Sequence, residues 1–217
     1  MNMSENLPQM SAKEKSMALK TAEWLTSTAV AGFGPLSSAE SLAQEYLLDQ
    51  SYVDNNDRVD SLINWETAKN FSTGFITGIG GFITLPVAIP ASLGAAWLIQ
   101  ARMVAAIAKI GGHDITEDRV KTAILMVIIG QDVKEVCKQA GIKISGKLTQ
   151  KVIEKIPGEI IKKINQLIGF RLLTKAGEKG IINLTKAIPF VGGAVGGTFD
   201  AVTCRSAGKL AKKMFCE

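Results

Sequence analysis

A single histidine stands in the 217 residues, His113, in the run GGHDITED. A His–Asp step suits a metal-dependent phosphohydrolase, but such sites gather several histidines, and zinc sites likewise cluster their ligands. Any Ser- or Cys-based triad would have to be built on this one imidazole. The plainer reading is a polar turn residue after a helix that ends at Gly111 or Gly112. A hydrolase using His113 with Asp114 or Asp118 is therefore the weakest functional reading, and no catalytic residue, metal or cofactor is expected. Gly141–Lys147, GIKISGK, fits the GxxxxGK phosphate-loop spacing. The next residue is Leu148 where a hydroxyl should hold Mg²⁺, and the preceding DVKEVCKQA reads as helix where a strand is needed. GFITGIGG, from Gly74, lacks the dinucleotide spacing GxGxxG and also follows a helical pattern.

The chain carries net charge +5, unevenly spread. Residues 1–69 hold five Lys and Arg against ten Asp and Glu, and residues 102–217 hold twenty against ten, so −5 in front is followed by +10 behind. That asymmetry suggests internal complementarity or a basic face for an anionic partner. Nucleic acid fits poorly, because the basic stretch 134–186 offers one aromatic, Phe170, and the whole chain only five arginines for reading or stacking on bases. The three cysteines form no CxxC pair, which fits a reducing compartment. The N-terminal MNMSENLPQMSAKEK has no apolar core of a signal peptide, so a cytoplasmic protein is expected.

The elements that would position these residues read almost wholly as helices. One spans 11–31 from Ser11, broken by Gly32, Gly34 and Pro35. Ser37 with Glu40 three residues on reads as a capping box for a helix reaching Gln50. DNNDRVDSLINWETAKN puts Val59, Leu62, Ile63 and Ala68 roughly on one face. Thr116 is expected to cap TEDRVKTAILMVIIG, and Pro157 to sit in the first turn of GEIIKKINQLI. A last helix is expected from about Pro189 to Phe215.

The most informative stretch is free of Asp, Glu, Lys and Arg from Asn70 to Ala101. Pro86 and Pro90 divide it into two arms, Asn70–Leu85 and Ala91–Gly111, roughly 24 and 31 Å long as helices. Small residues such as Gly74 and Gly78 recur at helical spacing and would let two backbones approach closely. The expected fold class is therefore all-α: a multi-helix bundle around a central Gly/Pro-punctuated apolar helical hairpin. Residues 1–30 would form a partly peripheral N-terminal helix, and residues 31–217 a single helical domain. The candidate lipid-contacting positions are Gly74, Phe75, Gly78, Gly80, Gly81, Phe82, Leu85, Pro86 and Pro90.

Two further sets carry charge. Lys143, Lys147, Lys151 and Lys155 recur every fourth residue beside Ile144, Leu148, Val152 and Ile156. With Lys162 and Lys163 they read as a cationic amphipathic surface that fits anionic lipid, or as an ordinary solvated bundle face. Arg102, Asp200 and Arg205 adjoin apolar segments, where a buried charge survives only when paired. An ion pair of Asp200 with Arg102 or Arg205 is expected to hold the last helix against the hairpin.

The block LINWETAKNFSTGFITGIGGFITLPVAIPASLGAAWLIQARMVAAIAKIGGHD resembles the EcsC protein family. So do GPLSSAESLAQEYL upstream and IPFVGGAVGGTFDAVTCRSAGKLA downstream, over roughly residues 30–210. The resemblance implies a bacterial helical domain, associated by name with an ABC-transporter operon and suspected of membrane association, with no catalytic set to carry over. The resulting expectation is a non-enzymatic protein, partly on the inner face of the cytoplasmic membrane. It would bind or perturb anionic bilayers, or assist a membrane partner such as an ABC transporter. The alternative is a soluble lipid-binding or transfer domain with an internal apolar cavity.

Overall fold

The computed structural model describes residues 10–71, 91–143, 149–185 and 192–217, with backbone course alone for 70–71, 91–92, 176–185 and 192–200. The fold is all-α. The helices are α1 (Ala12–Ala31), α2 (Ala39–Leu48), α3 (Asn55–Phe71), α4 (Ala91–Ile110), α5 (Asp118–Ile129), α6 (Val133–Ala140), α7 (Gln150–Glu154), α8 (Gly158–Thr185) and α9 (Gly192–Phe215). A 3₁₀ turn at Gly130–Asp132 joins α5 to α6.

Local signals set the helix ends. Ser11 opens α1 through a reciprocal capping box with Glu14, which satisfies two otherwise orphaned amides. Gly32, at φ +85°, closes it by donating its N–H to the Thr28 carbonyl. The cap of α2 is Ser38, which accepts from the Ser41 amide, and not Ser37 as expected. The shift leaves the Ser37 hydroxyl for another partner. At α5 the N-cap is Glu117 without a side-chain bond. Thr116 instead donates its hydroxyl to Asp114 at 2.7 Å. Pro157 precedes α8, its carbonyl accepting from Ile160 and Ile161.

Helix α4 is the axis of the bundle. It packs against α1, α2, α3, α5 and α9, and its side chains from Ala95 to Ala108 are buried. Leu93–Ile110 is long and apolar enough to cross a membrane, with mean hydropathy 1.4, yet 89% of it is buried inside the bundle. The second arm of the expected hairpin is thus a core helix. The first arm and the link between the arms lie outside the described residues. Helix α1 has exposed first turns, then buries Ala18, Ala22, Leu25 and Ala29. It meets α8 so closely that a Cβ on Gly169 would run into the Ala18 carbonyl.

Candidate functional site

Six contacts fix the directions of the central helices. Asn55 bonds the Ile110 carbonyl and Glu66 bonds Arg102, so α3 and α4 are antiparallel. Gln100 meets Thr203, and His113 meets the Phe215 carbonyl, so α9 runs parallel to α4. Thr122 on α5 bonds Asn165 on α8, and Arg119 bonds the Ile156 carbonyl just before α8, so those two run in parallel. Helix α5 returns antiparallel to α4 through the short connection 111–117. The C-terminal ends of α3 and α8 and the N-terminal ends of α4 and α9 therefore lie at one end of the bundle. In sequence, residues 72–90 connect α3 to α4 and residues 186–191 connect α8 to α9. They belong to the Gly/Pro-punctuated apolar stretches of the sequence.

Beneath that end lies a buried ionic cluster. Arg102, 4% exposed, donates Nε to the Ser37 carbonyl at 2.7 Å and Nη2 to the Ser37 hydroxyl at 2.8 Å. Its Nη1 donates to Glu66 Oε2 at 3.3 Å, and Lys69 Nζ donates to the other Glu66 oxygen at 3.2 Å. Glu66 is wholly buried. Among the described residues the partners of Arg102 are thus Glu66 and Ser37, and the expected pairing of Asp200 with Arg102 or Arg205 falls on a side chain outside them. Arg205 is exposed, because the inward face of α9 is formed by Cys204, Ala207, Gly208 and Ala211. The side chain of Asp200 lies outside the described residues. Glu66 was missed because Ala68, which is exposed, was placed on the inner face of α3. The spacing Val59–Leu62–Ile63–Glu66 was the available signal: it carries a carboxylate on the apolar stripe, where only a paired charge is tolerated.

The lysines do not form one helix face. Lys143 lies in coil after Gly141, which closes α6 in a left-handed conformation; Lys151 is in the five-residue α7; Lys155 is its C-cap. Thr149 is extended, so no helix runs through from 143 to 156. Ile153 and Ile156 turn inward, while Val152 is 37% exposed. Lys143, Lys151, Lys155 and Lys162 are exposed and Lys163 is half-buried. Lys147 lies outside the described residues, as do Gly74, Phe75, Gly78, Gly80, Gly81, Phe82, Leu85, Pro86 and Pro90. Helix α8 has 28 residues, so its start is about 42 Å from its far end. Lys151, Lys155 and Lys162 thus sit at the opposite end of the bundle from the end of α8 at Thr185.

His113 is a joint. Its Nε2 lies 3.0 Å from the Phe215 carbonyl and its ring meets the Phe215 ring edge-on. The backbone enters this turn through Gly112 at φ +85°. At Gly111 a Cβ would collide with the Phe215 carbonyl, so the ends of α4 and α9 touch there. Asp114 is turned to Thr116, whose hydroxyl and amide hold its carboxyl below the usual range. Among the described residues no group of three His, Cys, Asp or Glu side chains could hold a metal.

A cleft of about 550 Å³ opens between α1, α5 and α8. Leu19, Ala22, Leu125 and Ile161 line it together with Glu23, Asp118, Lys121 and Lys162.

A family model described as the EcsC protein family matches residues 3–216. The chain belongs to the EcsC family. None of the curated proteins and none of the solved structures compared matches it. The EcsC match covers all the described helices, so the buried Glu66–Arg102 cluster and residues 72–90 and 186–191 lie within the family domain.

Proposed function

We propose that this EcsC-family domain is a non-enzymatic, membrane-associated module. It binds anionic bilayers, or a membrane protein such as an ABC transporter, through the end of the bundle that carries segments 72–90 and 186–191. One observation carries the reading: four helix ends converge where the longest charge-free stretch of the sequence begins, at the end of α3. That stretch divides in two. The part from Leu93 is consumed by the core, and the part before it is what remains for a bilayer. Charge-free residues in such number are costly to leave in water and favourable to place in hydrocarbon.

The lysine surface has a separate role in this reading. A domain resting on its apolar end holds Lys151, Lys155 and Lys162 several Debye lengths from the headgroups, since screening acts over about 8 Å at physiological salt. Binding should then be salt-resistant. The lipid-transfer alternative needs an apolar enclosure, whereas the cleft between α1, α5 and α8 carries four charged side chains on its walls.

Flotation with anionic liposomes, at low and high salt and after alkaline carbonate washing, tests the proposal. The expected result is flotation that survives high salt and is lost in Phe75→Asp/Phe82→Asp. Flotation lost in salt alone would transfer the contact to the lysines. Protein that stays at the bottom of every gradient would refute the membrane reading.

A further inference from the structure

The flank formed by α3 and α9 has an unusual surface. Trp65 is 58% exposed and Val202 is 65% exposed. These helices pack antiparallel: a Cβ on Gly208 would lie 2.7 Å from the Ile63 side chain, and Lys212 pairs with Asp60 at 2.8 Å. Counting back from those contacts puts Val202 level with Lys69, within about a turn of Trp65. The Lys69 ammonium stands 5.6 Å from the centroid of the Trp65 ring while also reaching buried Glu66. Arg205 is exposed on the same stretch of α9. An exposed indole among lysine and arginine is the composition of a membrane interface, where the ring sits at headgroup level and the cations meet phosphate.

The lengths above this level agree. Gln100 and Thr203 are opposite each other. From there α4 has nine further residues to Ala91 and α9 eleven to Gly192, or about 14 and 17 Å of helix. One leaflet of hydrocarbon is about 15 Å thick. Over this height α4 carries no charge, and α9 carries Asp200, three residues above Thr203, and none from Gly192 to Phe199. Helix α8, which carries Lys175, Glu178 and Lys179 toward its far end, packs mainly against α1, α5 and α6 among the described residues.

We propose that Trp65, Lys69, Val202 and Arg205 form a headgroup-level belt, so that the domain enters one leaflet on its α3/α4/α9 side and stops at the depth of Trp65. The inference rests on the membrane reading above and adds orientation and depth to it.

Of the three tryptophans, Trp97 is buried and Trp24 half-buried, so a Trp24→Phe/Trp97→Phe chain reports Trp65 alone. Should that chain fail to fold, the difference between wild type and Trp65→Phe gives the same signal. The probe is phosphatidylcholine–phosphatidylglycerol vesicles, with bromine near the headgroup or near the bilayer centre. The expected result is a blue-shifted emission, acrylamide quenching reduced by about threefold or more, and stronger quenching by shallow than by deep bromine. Protein that floats while Trp65 stays open to acrylamide and silent to bromine would overturn the belt and leave the membrane reading standing. Stronger quenching by deep bromine would overturn the one-leaflet depth. Protein that does not float overturns both.

Discussion

The Glu66–Arg102 pair lends itself to a quantitative test. Glu66→Gln removes the anion and leaves Arg102, 4% exposed, with neutral acceptors alone among the described residues, the Ser37 carbonyl and hydroxyl and the new amide oxygen. Arg102→Met leaves Glu66, among the described residues, with Lys69 as its cation and deprives both Ser37 oxygens of the arginine donor. Removing one partner of a buried pair costs about 3–5 kcal/mol, because the survivor keeps its desolvation penalty without its compensation. For a chain of this length that is a fall of roughly 6–20 °C in Tm. The double change Glu66→Leu/Arg102→Met removes both charges together. It should cost less than the sum of the singles by about 2 kcal/mol or more, the residual loss reflecting the stranded Ser37 carbonyl. Urea titration of the wild type, both singles and the double completes the cycle. Singles that each cost under about 1 kcal/mol, or a double equal to their sum, would mean the pair is screened and the burial argument is wrong.

Gly169→Ala should destabilise by about 3 kcal/mol, since the new methyl meets the Ala18 backbone and α1 must move away from α8; thermal unfolding reads this, with Gly158→Ala, which meets open space, as the control. His113→Ala should lower stability by about 1 kcal/mol through loss of the Phe215 contact, and added zinc should leave the Tm of the wild type unmoved. Burial pushes the Cys137 thiol up to about 11, so at pH 8 Cys137 stays protonated and should resist a disulfide reagent in the folded protein. All three cysteines should react in urea, and fast labelling of Cys137 in buffer would contradict its enclosure. Ser38→Ala should cost about 1 kcal/mol as a lost cap, detectable by urea titration.

The all-α class was legible because the helical period, the Ser11 cap and the glycine stops all agree locally. Position along the bundle was not. Whether α9 runs with or against α4 is decided by which Ala- and Gly-rich faces meet, and such faces are nearly interchangeable in sequence. The convergence of four helix ends appeared only with the contacts Glu66–Arg102, Gln100–Thr203, His113–Phe215 and Thr122–Asn165. The lysine spacing misled for a related reason. A four-residue repeat fits a helix, but extended Thr149 and the Pro157 boundary leave room for a single short turn. The family resemblance was carried by the apolar block around Gly74–Arg102 and extended well beyond it. The Ser37/Ser38 exchange was hidden because two adjacent serines are equally good caps, and only a distant arginine distinguishes them.

The position of Arg102 within α4 has a consequence for synthesis. In the window Leu93–Ile110 it stands at the midpoint, the place where an arginine opposes membrane insertion most, by about 2.5–3.5 kcal/mol. A nascent α4 emerges before α5 and α9 exist to cover it, and its composition would otherwise invite the insertion machinery. The residue that later bonds Ser37 and Glu66 in the folded bundle thus also directs the unfolded chain away from being threaded through the bilayer. Arg102→Leu would sever both roles together, producing a chain that folds less stably and is more readily misrouted.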